Sequence, residues 1–187
     1  MQKLVPAAGL CLVLALGVSA PAHAQTFFTP FAGATFGGDA PAKKFSTGAS
    51  LTFMGRVAGL ELEFGYTPDF FGEQTDFALV ADSNVTNFMA NLMVGPGVGR
   101  VRPYGVGGVG LMRTRVNTND LFDDVATNDF ALNLGGGVFG MISEHVGVRG
   151  DLRYFRRLQD PSNDNDFDVA LGKFNFWRAY GGVTFRF

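Results

Sequence analysis

Few side chains in this 187-residue sequence are equipped for chemistry, and none sits in a pattern that completes a site. A histidine could supply a general base, but there are only two, His23 and His145. His23 lies in an N-terminal leader. His145, beside Glu144, falls in a short turn, where a solvated residue is the simpler reading. Gly105-Val106-Gly107-Gly108-Val109-Gly110 has the density of a phosphate-cradling loop. It lacks the Lys-Ser/Thr ending and the helix that such a loop requires. Close backbone approach in a bent strand accounts for it better. Asp164-x-Asp166-x-Asp168 opens like a calcium loop but has neither the required glycine nor the closing glutamate. It reads as a solvated acidic stretch. No catalytic, cofactor or metal site is expected, and a net charge of −2 argues against nucleic acid as a partner.

The N-terminus carries an export signal. Met1-Gln2-Lys3 is positive, Leu4 to Ala20 is apolar, and Ala22-x-Ala24 has the small-x-small form read by a signal peptidase. Residues 1–24 are read as a signal peptide and 25–187 as the mature domain, with cleavage between Ala24 and Gln25. A retained membrane helix fits less well, because the apolar run is short and no positive cluster follows it. A lipoprotein signal fails because Leu10 precedes Cys11, where a small residue is needed. Cys11 is the sole cysteine, so the mature domain can form no disulfide in the oxidising compartment it enters.

The elements that could hold such a chain together are strands. Gly (26) and Phe (20) are both abundant, and no apolar run after the leader is long enough for a membrane helix. Eight segments of period-two texture cover Thr26–Gly37, Phe45–Gly55, Ala58–Thr67, Val85–Gly95, Val101–Thr114, Asp129–Met141, His145–Leu158 and Lys173–Phe187. In the third, Glu61, Glu63 and Gly65 share one face, and Leu60, Leu62, Phe64 and Tyr66 the other. In the seventh, Val146, Val148, Leu152 and Tyr154 oppose Arg149, Asp151 and Arg153. In the sixth, Phe130, Leu132, Leu134 and Val138 oppose Asn133 and glycines. The first and fifth segments are Gly-rich, and their facing is ambiguous.

Connections alternate in length. They are tight around Arg56-Val57, Pro96–Arg100 and Ile142-Ser143-Glu144, and longer and polar over Gly38–Lys44, Pro68–Asn84, Arg115–Asn128 and Gln159–Gly172. Short turns at one end and long loops at the other are the layout of an outer-membrane barrel, with the long loops extracellular. In hydrocarbon every backbone amide must be paired, so a sheet survives only without edges. The expected fold is therefore all-β: a transmembrane, antiparallel up-and-down barrel of eight strands in the outer membrane of a Gram-negative-type bacterium. A soluble lipocalin-like barrel would have an apolar interior and a charged outside, the reverse of these faces. Aromatic residues should ring both lipid–water boundaries. Phe36, Phe45, Tyr66, Phe88, Phe130, Tyr154 and Trp177 are assigned to the outer ring, and Phe53, Tyr104, Phe185 and Phe187 to the periplasmic one.

With that layout goes the terminal strand Ala179-Tyr180-Gly181-Gly182-Val183-Thr184-Phe185-Arg186-Phe187. Together they resemble the small outer-membrane β-barrel domain family, to which the membrane domain of OmpA-type proteins belongs. The resemblance implies that Phe187 is the signal read by the barrel-assembly machinery. The chain ends at Phe187, so tethering to the cell wall through a peptidoglycan-binding domain is not expected.

In an eight-stranded barrel the third and seventh strands face each other across an interior narrow enough for long side chains to bridge. Glu61 and Glu63 should thus meet Arg149, Asp151 and Arg153, with Arg178 of the eighth strand also pointing inward. The expected function is a structural and surface-interaction scaffold displaying four loops. A narrow conduit for small or apolar solutes is the alternative. Expected partners are outer-membrane lipid and lipopolysaccharide, the assembly machinery, and a surface or host ligand that no loop motif identifies.

Overall fold

The computed structural model describes residues 25–40, 43–70, 80–118, 125–158 and 174–187. Eight strands run β1 (Gln25–Phe36), β2 (Lys44–Met54), β3 (Ala58–Pro68), β4 (Val80–Val94), β5 (Val101–Thr118), β6 (Val125–Met141), β7 (Val146–Arg157) and β8 (Asn175–Arg186). Each pairs antiparallel with its neighbours in chain order, and β8 closes on β1 through a register from Phe27↔Arg186 to Phe36↔Trp177. The barrel therefore has no free edge, which satisfies the demand that hydrocarbon places on the backbone.

Alternation decides what faces lipid. On β3, Leu60 is 59 % exposed and Glu61 is 1 % exposed. The same inversion of a soluble protein's faces runs round the wall: Leu62, Phe64, Phe88, Leu92, Leu132, Leu134, Val148 and Leu152 point out, while Thr52, Asn91, Asn133, Arg149 and Arg153 point in. The two ambiguous strands resolve as well. β1 turns Phe27, Thr29, Phe31 and Thr35 inward, and β5 turns Tyr104, Val106 and Met112 inward.

Turn chemistry is local. Gly55 N–H donates to the Ala58 carbonyl at 2.8 Å in the β2–β3 turn. Gly99, at φ +60°, takes a left-handed conformation between the bridged residues Val98 and Val101. Ser143 Oγ accepts from the Val146 amide at 3.0 Å in the β6–β7 turn. These three turns share one end of the barrel with Gln25 and Phe187.

At the opposite end the ladders run further than the apolar pattern. β4 begins at Val80, β5 continues to Thr118 and β6 begins at Val125, so three strands extend into segments expected to be loop. Polar side chains do not stop a ladder once it leaves lipid, because the neighbouring strand still offers backbone partners. The β5–β6 connection shrinks to residues 119–124. At the start of β8 the reverse holds, and the strand begins at Asn175.

One aromatic assignment changes. Tyr104 was expected at the boundary ring but is buried in the lumen, because the even positions of β5 face inward. Phe27, Phe31, Phe70, Phe139, Phe155, Phe174 and Phe176 are also buried, so boundary rings explain only part of the phenylalanine content. Outside, Tyr154 and Trp177 pack ring against ring at 5.2 Å, and Phe130 and Phe45 are exposed toward the long-connection end.

Candidate functional site in the barrel lumen

The lumen is layered. Nearest the short turns, Phe27, Met54, Met93, Tyr104, Val106 and Phe139 form an apolar cluster. Toward the long connections lies another, made of Phe70, Val85, Met89, Met112, Ala131, Phe155, Phe174 and Phe176. Between them sit Glu61, Glu63, Arg149, Asp151, Arg153 and Arg178, all buried.

The structure brings all six into one network. Glu61 accepts from Arg149 Nη1 through Oε2, and from Arg153 Nη2 at 2.8 Å through Oε1. Glu63 Oε2 lies 2.8 Å from Arg153 Nη1, and its Oε1 pairs with Arg178 Nη2. The Arg153 Nη1 contact is an ion pair whose angle falls outside hydrogen-bond geometry. Asp151 takes Arg149 Nη2 and Arg153 Nε, each at 2.8 Å. Three carboxylates meet three guanidinium groups, so the formal sum is −3 + 3 = 0. A buried charge left unpaired would cost several kcal/mol, and this arrangement leaves none.

Neutral groups fill many of the remaining valences, while Arg178 Nε, Asn87 Nδ2 and Asn133 Oδ1 make no hydrogen bond. Asn91 Nδ2 donates to Glu61 at 2.9 Å, and Asn133 Nδ2 donates to Asn91 at 2.7 Å. Thr52 donates to Glu61 at 3.2 Å, and Tyr180 donates to Glu63 at 3.1 Å. Ser50 accepts from Arg149 Nη1 at 3.0 Å. Tyr104 accepts from Arg149 Nε at 2.6 Å and itself donates to Asp151. Aromatic faces cover the guanidinium planes. Arg149 lies 4.8 Å from the Phe139 ring centroid, and Arg178 lies 4.5 Å from that of Phe155.

Glycines make room for these side chains. Gly135 pairs with Arg153, Gly33 with Tyr180, Gly108 with Asn91 and Gly110 with Met89. A Cβ on Gly135 would lie 2.2 Å from the Leu152 carbonyl oxygen and 2.8 Å from the Arg153 Cα. By contrast, Gly105 and Gly150 face outward, and a Cβ there would meet nothing. The Gly-rich run 105–110 is thus a strand in which inward glycines seat lumen residues.

Tyr104, Tyr180, Asn91, Ser50 and Thr52 belong to the network and were not assigned to it from the sequence. Tyr180 shares its parity with Arg178, and Asn91 and Thr52 both stand beside Glu61 in the register, so these had a signal. Tyr104 had none, because glycines occupy both faces of β5. His145 lies exposed in the β6–β7 turn. Among the described residues no cluster of His, Cys, Asp or Glu is arranged to hold a metal ion. Ala24, the leader and Asp164, Asp166 and Asp168 lie outside the described residues. Phe187 is exposed, and its amide donates to the Thr26 carbonyl at 2.9 Å.

A closed antiparallel barrel, apolar without and ionic within, is the architecture of a protein that crosses a membrane by strands. The sequence matches the outer membrane protein β-barrel domain family over residues 9–187, and the chain belongs to that family. It is an outer-membrane β-barrel. Solved structures share the fold. Neisserial surface protein A matches with a TM-score of 0.65 at 15% identity, over 87% of this chain and 97% of that one. The N-terminal barrel domain of Pseudomonas aeruginosa OprF matches with a TM-score of 0.57 at 18% identity, over 89% and 99%. Ail of Yersinia pestis, solved with the heparin analogue sucrose octasulfate, matches with a TM-score of 0.56 at 12% identity, over 87% and 97%. Among curated proteins, none matches the chain in sequence.

Proposed function

We propose that this barrel is a closed scaffold that anchors four extracellular connections in the outer membrane, and not an enzyme or a conduit. One observation carries the reading: a charge-neutral network spans the lumen between two apolar layers. Water and small solutes would have to break buried ion pairs to pass. An interior filled by side chains is the usual condition of an eight-stranded barrel. Function then falls to the connections at the far end, where binding residues concentrate on rigid scaffolds.

In this orientation the three tight turns are periplasmic. Lipopolysaccharide and outer-leaflet lipid are the immediate partners of the upper wall. Residues 1–24 serve as a signal peptide cleaved between Ala24 and Gln25, and Phe187 is the assembly signal. The test is a variant in which residues 71–79 and 159–173 are replaced by short Gly-Ser links. The scaffold reading expects this variant to fold and shift on heating like the parent, while losing adhesion of whole cells to surfaces or host material. Adhesion equal to the parent's would count against it.

A further inference from the structure

The short-turn mouth of the barrel carries a group of arginines that the lumen network does not use. Arg100, Arg102 and Arg186 line a cavity of about 130 Å³, floored by Phe27, Phe139 and Met141. A single water needs about 10–15 Å³ of such space, so there is room for a polyatomic ion. Arg102 is held in place: Nη1 donates to the Gly55 carbonyl at 2.7 Å, and its guanidinium lies where a Cβ on Gly97 would be 3.0 Å from Nη2. Arg100 Nη1 reaches the Ile142 carbonyl at 3.4 Å. No carboxylate lies within ion-pair distance of any of the three among the described residues, whereas Arg149, Arg153, Arg157 and Arg178 are all paired. Other charges at this mouth include Arg56 and Glu144 in the neighbouring turns and the α-carboxylate of Phe187 next to Arg186, none of them in an ion pair with the three arginines.

Three guanidinium groups around one small cavity repel each other unless an anion joins them. Their planar donors suit an oxyanion, and the apolar floor lowers the dielectric and strengthens the attraction. We propose that this mouth is a binding site for a phosphate-type oxyanion, carried either by a free phosphate or by a phospholipid headgroup of the adjacent leaflet. A doubly charged phosphate balances three positive groups better than a carboxylate does. The site does not depend on the scaffold reading, and its test is independent of which way the barrel faces.

The experiment is an NMR titration of the refolded protein with inorganic phosphate, in non-ionic micelles free of phosphate, with ionic strength held constant by chloride. Saturable shifts are expected at the Gly97 and Gly99 amides and the Arg102 side chain. Arg102→Gln and Arg186→Gln should each weaken binding by about tenfold, and Arg56→Gln by less than about twofold. Unchanged Glu61 and Arg153 resonances would show that the variants keep the barrel intact. In the same phosphate-free micelles, added phosphatidic acid that produces the same shifts and blocks free phosphate would identify a lipid headgroup as the source. Phosphate binding that persists unblocked would identify a soluble one. Linear, unsaturating shifts, or equal affinity in Arg102→Gln, Arg186→Gln and the parent, would overturn the proposal.

Discussion

Glu61 accepts from Arg149, Arg153, Asn91 and Thr52 together, so its replacement disturbs four neighbours at once. Glu61→Gln leaves the cluster at +1, Arg149→Gln leaves it at −1, and the double variant returns it to zero. Stranding a buried charge typically costs ~3–5 kcal/mol. Each single change should therefore lower stability in urea by about that much, and the double by clearly less than their sum. Strict additivity would mean a wet lumen with little contact between the charges. Gly135→Ala should cost about 1–3 kcal/mol, since its Cβ would collide with the β7 backbone. Gly150→Ala, facing open space, should change stability by less than about 0.5 kcal/mol. Equal effects at the two positions would contradict the seating of Arg153 on Gly135. The facing of Glu61, Arg149 and Arg153 was legible because each stands in strict alternation with apolar residues. Tyr104 was not, since in Pro103–Gly110 a glycine can stand on either face.

The strands obey two rules in succession. Within lipid the alternation fixes their facing, and the sequence shows it. Beyond lipid the ladder alone sustains them, and composition gives little sign of where it stops. That is why β3, with an apolar row ending at Tyr66, matched its expected span to within a residue, while β4, β5 and β6 outran theirs through Asp82, Arg115 and Thr127. The closing strand has its own consequence. Phe187 extends β8 by one amide bonded to β1 and leaves its ring exposed to lipid. Such a ring contributes little to the packed interior, which leaves it free for the assembly-signal role proposed for it. Deleting Phe187 should cut the heat-shifting form in outer membranes severalfold, while the purified variant refolds in micelles as the parent does. Unchanged levels in membranes would refute that role.

Across the whole molecule the charges divide by level. The middle of the lumen is neutral, the short-turn mouth is basic, and the long connections with the adjoining start of β4 hold most of the acidic residues: Asp39, Asp69, Glu73, Asp76, Asp120, Asp123, Asp124, Asp160, Asp164, Asp166 and Asp168 in the connections and Asp82 in β4. In the proposed orientation these acidic residues would stand on the lipopolysaccharide side, where like charges repel unless divalent cations bridge them. Proteolysis of these connections in outer membranes should speed up when Mg²⁺ and Ca²⁺ are chelated; equal rates would contradict that picture. The apolar layers above and below the ion pairs bear on the central claim, which is that the barrel is closed. Single-channel recording in planar bilayers tests it most directly. The parent protein should show no steady open level, and Glu61→Gln should add at most brief, small openings. A long-lived, reproducible open level in the parent protein would contradict the closed scaffold and make the barrel a conduit.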